Sequence, residues 1–249
     1  MSARLAARLK LRPFKADQIP APEVKFSALW IAVALLALAV GSSPAYAESG
    51  SAPNPIFRMD FSHPGLSPSH WTLTIHPDGG GHFQSERGKL PAEGPQSFDA
   101  PDVDRDIRLS AEFAQRVFSV AGHRNWSKTD CDSHLKVAFQ GWKKLSYSAP
   151  AGGGDCEFNY SQDKEIQALG ESLMAVAETI VEGARLEMLL QHDRLGLDKE
   201  MESLTEEVRE GQAQQLGAIR GILERLAEDP GVMERVRKRA RVLDAKAEE

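Results

Sequence analysis

The chain is short of several things, and each shortage closes off a class of function. Two cysteines in 249 residues are too few for a disulfide-dense scaffold, and Cys131 and Cys156 stand too far apart to make a zinc site without further ligands. G-x-S-x-G, H-E-x-x-H, the phosphate loop and the dinucleotide fingerprint are all missing downstream of residue 47, so the commonest hydrolase, zinc-peptidase and nucleotide chemistries have no motif to rest on. The one long apolar run, Phe26 to Val40, falls short of the roughly 18 to 20 residues that cross a bilayer core, and Gly41 and Pro44 stop it from lengthening. Positive charge is in deficit as well, with 30 basic against 36 acidic residues, which repels phosphate backbones and anionic lipid surfaces. No nucleic-acid partner and no cofactor are expected.

What is present begins with an address. A basic leader (Arg4, Arg8, Lys10, Arg12, Lys15 and Lys25 against Asp17 and Glu23), the apolar run and the small-residue exit Ala45-Tyr46-Ala47 occur in the order of a secretory signal peptide. Cleavage between Ala47 and Glu48 is expected; the alternatives are an uncleaved anchor, the one case in which the membrane is a partner, and a buried core helix. The leader carries neither a twin-Arg pair nor a cysteine for lipidation. Cleavage leaves 24 basic and 34 acidic residues, a net charge of −10, in a periplasmic or secreted protein of 202 residues. In an oxidising compartment Cys131 and Cys156 read as a disulfide, with two buried thiols as the alternative.

Residues 48–55 form a Ser/Gly/Pro tether. Alternation then marks strands at Ile56 to Phe61 and at Trp71 to Ile75, and the His76-Pro77-Asp78-Gly79-Gly80-Gly81-His82 turn closes a hairpin that returns from Phe83. Arg87 to Asp106 reads as a loop, and Ser110 as the cap of a helix with Phe113, Val117 and Ala121 on one face, which Gly122 ends. Leu135, Val137 and Phe139 alternate in a further strand whose phase weakens beyond Gly141, where Lys143 falls on the apolar side and Trp142 on the polar one. Pro150 to Gly154 turns this into a second hairpin, returning through Cys156, Phe158 and Tyr160. One straight strand from Leu135 would carry Cys131 roughly 50 Å from the turn, whereas a disulfide tolerates about 7 Å between Cα atoms. The expectation is therefore a bend at Gly141; the alternatives are a loop folding back across the sheet, or no bond.

From residue 161 the composition turns to helix formers. Ser161 caps a helix with Asp163 in its first turn and an apolar stripe of Ile166, Leu169, Leu173, Val176, Ile180 and Ala184, running to about Gln191. Leu195 to Asp198 breaks it. A second helix, weak between Arg209 and Gln215 at Gly211, follows, and a third starts at Asp229-Pro230. The fold expected is α+β: a small antiparallel sheet of hairpins with one covering helix over 56–160, then a three-helix region over 161–244.

Several candidate sites have ordinary readings beside the functional one. Ser161-Gln162-Asp163-Lys164 has the S-x-x-K form of a penicillin-binding nucleophile, but no S-D-N or K-T-G follows, and a capping serine explains it. Asp102-Val103-Asp104-Arg105-Asp106 starts like a calcium loop, yet Ile107 stands where glycine is needed and Phe113 where the bidentate Glu belongs. His76 and His82, across the hairpin turn, could share a metal only with a third ligand from elsewhere. His192 suits a helix C-terminus, and the cluster Arg235, Arg237, Lys238, Arg239 and Arg241 is balanced by acids nearby. Asn125-Trp126-Ser127 and Asn159-Tyr160-Ser161 are glycosylation sequons in form only.

The stretches VAFQGWKKLSYS, CEFNYSQDKEIQALG, LEMLLQHDRLGLDKEM and DPGVMERVRKRA resemble a family of exported bacterial proteins of unassigned function, over about the last half of the chain. The resemblance implies export and brings no catalytic residue. The expected function is a non-catalytic binding or structural module of the bacterial cell envelope, whose helical region docks an envelope protein or a second copy; the alternative is an envelope hydrolase or a metal-dependent enzyme built on the His76 and His82 turn.

Overall fold

A computed structural model describes residues 54–88, 101–126 and 129–247. The signal segment, the Ala47/Glu48 cleavage point and all but the last two residues of the tether lie outside the described residues. The architecture is α+β: six antiparallel strands form one sheet, and the C-terminal region is helical.

The strands are β1 (Ile56–Ser62), β2 (His70–Ile75), β3 (Gly80–Glu86), β4 (Val103–Arg108), β5 (Trp142–Ala149) and β6 (Gly152–Phe158), in the order β4-β3-β2-β1-β5-β6. β1 is therefore central, with one meander leaving each side of it. Because side chains alternate along a strand, the register assigns every residue to one of two faces. On the inner face Leu145, Met59, Leu73 and Phe83 stand in one cross-strand row, and all four are fully buried. On the outer face the neighbouring row is Glu157, Lys144, Asp60, Thr72, Gln84 and Asp104. An antiparallel sheet tolerates such a wet face.

Two helices cover the inner face. In α1 (Ala111–Gly122) the Ser110 hydroxyl accepts from the Phe113 amide at 3.2 Å, and Phe113, Ala114, Val117 and Ala121 point at the sheet. In α2 (Lys164–His192) the capping residue is Asp163, whose carboxylate accepts from the amides of Glu165 and Ile166; Ser161 stands two residues outside and accepts from the Asp163 amide. Asp163 takes the position because a carboxylate with two amide donors satisfies more of the helix start than a hydroxyl does, and interacts better with its dipole.

α2 belongs to two cores. Up to Ala184 its buried side chains pack into the sheet core, whereas Leu186 and Leu189 pack with α3 (Leu197–Glu210), α4 (Arg220–Glu228) and α5 (Glu234–Lys246). The helical region holds four α-helices because Gly211, at φ +74, ends α3, and the chain re-enters through a 3₁₀ turn at Leu216–Ile219. α5 starts at Glu234 rather than Pro230: the Asp229 carboxylate accepts from the Gly231 amide at 2.7 Å, closing a turn. The Arg87 to Asp106 loop is interrupted by β4, which alternation does not reveal because four of its six residues are charged and Val103 and Ile107 alone mark the inner face.

Candidate functional site

The segment between α1 and β5 departs furthest from the expected strand. Leu135, Val137 and Phe139 alternate in sequence but pair with no strand, and all three are exposed. With Trp142, at 44% exposure, they account for four of the eight large apolar side chains left exposed among the described residues, and they fall within eight positions. The Phe139 ring stacks on His63 with 5.0 Å between centroids and meets Trp142 edge-on at 5.9 Å. The ring contacts join His63, Phe139 and Trp142 where Trp142 stands beside Ser62 of β1, and with the exposed Leu135 and Val137 on the segment leading there they make up an apolar ledge.

The ledge is held from below by groups that the chain order scatters. The Cys131–Cys156 disulfide fastens its start to β6, with 5.8 Å between Cα atoms. The distance objection to a straight strand is resolved at Gly141, where φ is +101 and any side chain would collide with the Phe61 ring. Asn159 clamps the middle: its Oδ1 accepts from the Gln140 amide at 2.7 Å, its Nδ2 donates to the Ala138 carbonyl, and its own amide donates to Asp132. The Ser133 amide donates to the Tyr160 carbonyl at 2.9 Å.

Lys143 lies beneath. It occupies the inner face of β5 at 4% exposure, its Nζ donating to the Asn159 carbonyl at 2.8 Å and lying over the Phe158 ring. Burial pushes its pKa down to about 8, against a weaker opposing pull from Glu171. A lysine on the apolar parity of a strand is the signal for such a group; the sequence shows it, but it also reads as decay of the pattern. Asn159, conspicuous only as a sequon, gives no sign of its clamping role.

At the entrance to the ledge His134 adopts φ +53, with Nε2 at 2.9 Å from Asp130 and Nδ1 at 3.2 Å from Asp132. The hydrogen bond to Asp130 and the charges of both aspartates raise its pKa.

The other candidates are occupied by local structure. His82 places Nδ1 at 2.9 Å from Asp106 and Nε2 at 3.1 Å from Asp104, and the hydrogen bond to Asp106 leads the causes that raise its pKa. With a carboxylate against each ring nitrogen, His82 has no nitrogen facing open space for a metal. His76 and His82 do line one surface concavity, with Asp78 and Arg108, but no group of three metal-ligating side chains occurs among the described residues. Asp104 and Asp106 lie on the extended strand β4, where both are taken by His82, instead of on a loop that wraps its carboxylates around a cation. Ser161 is buried beneath the start of α2. On α5, Arg235 and Arg239 pair with Asp198, and Arg237 and Arg241 with Glu234.

Among the described residues no helix is long and apolar enough to cross a membrane. The disulfide is compatible with an extracellular or periplasmic location. Comparison of the chain with protein-family models, with curated proteins and with solved structures finds no match.

Proposed function

We propose that this protein is a non-catalytic binding module of the bacterial cell envelope, and that it engages an apolar segment of another envelope protein through the ledge of Leu135, Val137, Phe139 and Trp142. The observation that carries the reading is the concentration of exposed apolar side chains in one short segment that a disulfide, Asn159 and Lys143 hold in place. Clustered aromatic side chains on a pre-ordered backbone lose little entropy when a partner covers them, and residues of that kind dominate binding energies. The helical stripes expected to dock a partner are buried in the two cores, which leaves the ledge as the surface offered.

The test combines capture with position. Protein carrying a photo-crosslinking residue at Val137 is exposed to envelope extract, alongside a Phe139→Ser/Trp142→Ser variant of unchanged stability. The reading expects a discrete crosslinked protein from position 137 whose capture the double variant abolishes. Capture that survives the double substitution, crosslinking only to a second copy, or a monomer that retains nothing would each refute it.

A further inference from the structure

Where α2 passes from the sheet core to the helical core, it carries a charge cluster that neither core requires. The Glu182 side chain is 3% exposed, and Arg185 lies one turn along. Arg185 Nη1 donates to Glu182 Oε1 and, at 2.7 Å, to Glu200 Oε1 on α3. Two carboxylates therefore converge on a single guanidinium nitrogen in a largely buried place, Arg185 and Glu200 keeping a partly exposed edge, and Glu182 Oε2 is buried without a partner. Ionised together, they leave one negative charge uncompensated, which is costly in such a place. Like charges sharing a site relieve that cost by keeping a proton.

The surroundings favour the proton. Glu178 of α2 adds negative charge and is itself acted on by Glu207 of α3; among the described residues Arg185 and Lys199 are the cations that act on the pair. The stretch that closes beside them, from Gly211 to the 3₁₀ turn, is tied to α2 by the Gln214 amide donating to the Thr179 hydroxyl and contains no titratable residue. Glu187, the next acid along α2, is taken by Arg105 and Arg225.

We propose that Glu182 and Glu200 hold one proton between them, and that this acid–carboxylate pair, closed by Arg185, is a pH-dependent latch fastening α3 to α2. Burial, followed by the hydrogen bond to Glu200, pushes the Glu182 carboxyl well above the usual carboxylate range. Glu200, although buried, is drawn below the usual carboxylate range by that hydrogen bond and by Arg185. The folded state therefore binds one more proton than the unfolded chain from pH 4.5, the ordinary glutamate value, into the alkaline range. In that window opening becomes about tenfold more favourable per pH unit, and the latch is tightest in acid.

Hydrogen exchange of the α3 amides between pH 6 and 9, corrected for intrinsic exchange chemistry, is measured on the wild type, Glu182→Gln and Glu200→Gln. Either substitution leaves one carboxylate for one guanidinium, with no proton needed. Both variants are expected to lack the tenfold rise per unit that the wild type shows. Carboxyl ¹³C titration of glutamate-labelled wild type is expected to show a carboxyl still protonated at pH 7 that Glu182→Gln removes, which separates it from Glu178, whose pKa is also raised. Parallel pH profiles in all three proteins, or a wild type with every glutamate titrating below pH 6, would overturn the latch.

Discussion

Removing the disulfide tests both the stability of the sheet and the support of the ledge. The bond spans 25 residues and ties the segment before the ledge to the edge strand β6. Opening a loop of that size returns to the unfolded chain an entropy worth about 3.5 kcal/mol in the chain-entropy treatment. For a domain of this size each kcal/mol moves Tm by roughly 2 to 4 °C, so a drop of about 7 to 14 °C is expected. The ledge should loosen before the whole protein unfolds, because with the bond gone its tethers are the Asn159 hydrogen bonds, the Ser133 to Tyr160 bond and the donation from Gln162 to the Ser133 carbonyl. The assay is urea denaturation of the wild type, of the thiol-reduced wild type and of Cys131→Ala/Cys156→Ala, with hydrogen exchange of residues 132–140 on the same samples. The two forms without the bond should agree with each other. A loss below about 1 kcal/mol in both, or an unreduced protein that alkylates readily at both cysteines, would refute the reasoning.

Two further outcomes follow from packing and from charge. Gly183→Ala sets its new Cβ inside contact distance of Ile219, so overpacking of about 1 to 3 kcal/mol outweighs the gain of roughly 1 kcal/mol from helix propensity; Gly221→Ala, with open space around it, shows that gain alone, and denaturation midpoints moving in the same direction for both would contradict the α2 contact. Lys143 has its pKa lowered from 10.5 to about 8, so between those values the unfolded chain binds the extra proton and this residue's contribution to stability rises with pH. Relative to Lys143→Met, the wild type should gain about 3 kcal/mol between pH 7.5 and 10.5, at roughly 1.4 kcal/mol per unit; parallel stability curves would show that the ammonium is not buried as described.

Local pattern carries far where one face is buried. Phe57, Met59 and Phe61, or Trp71, Leu73 and Ile75, alternate because the sheet has a single core face, and each is buried as its parity requires. Pattern misleads where an alternating run has no partner strand. Leu135, Val137 and Phe139 satisfy the same rule and stay exposed, because Gly141 turns the chain and β5 starts only at Trp142. β4 escapes for the opposite reason: its outer positions, Asp104 and Asp106, are as polar as a loop.

The sequence by itself determined the α+β class, the position of the first hairpin, the turn of the second and the α1 stripe, and it left Cys131 and Cys156 one possible pairing, which the structure forms. Each of these depends on residues near one another in the chain, or on a count that allows a single answer. Only the tertiary structure decided that β1 is central, that α2 divides between two cores, that Asn159 and Lys143 seat the ledge, and that Glu182 meets Glu200 on one arginine. Those depend on distances between segments tens of residues apart, and periodicity, which reports the face of an element, is silent about what that face will meet.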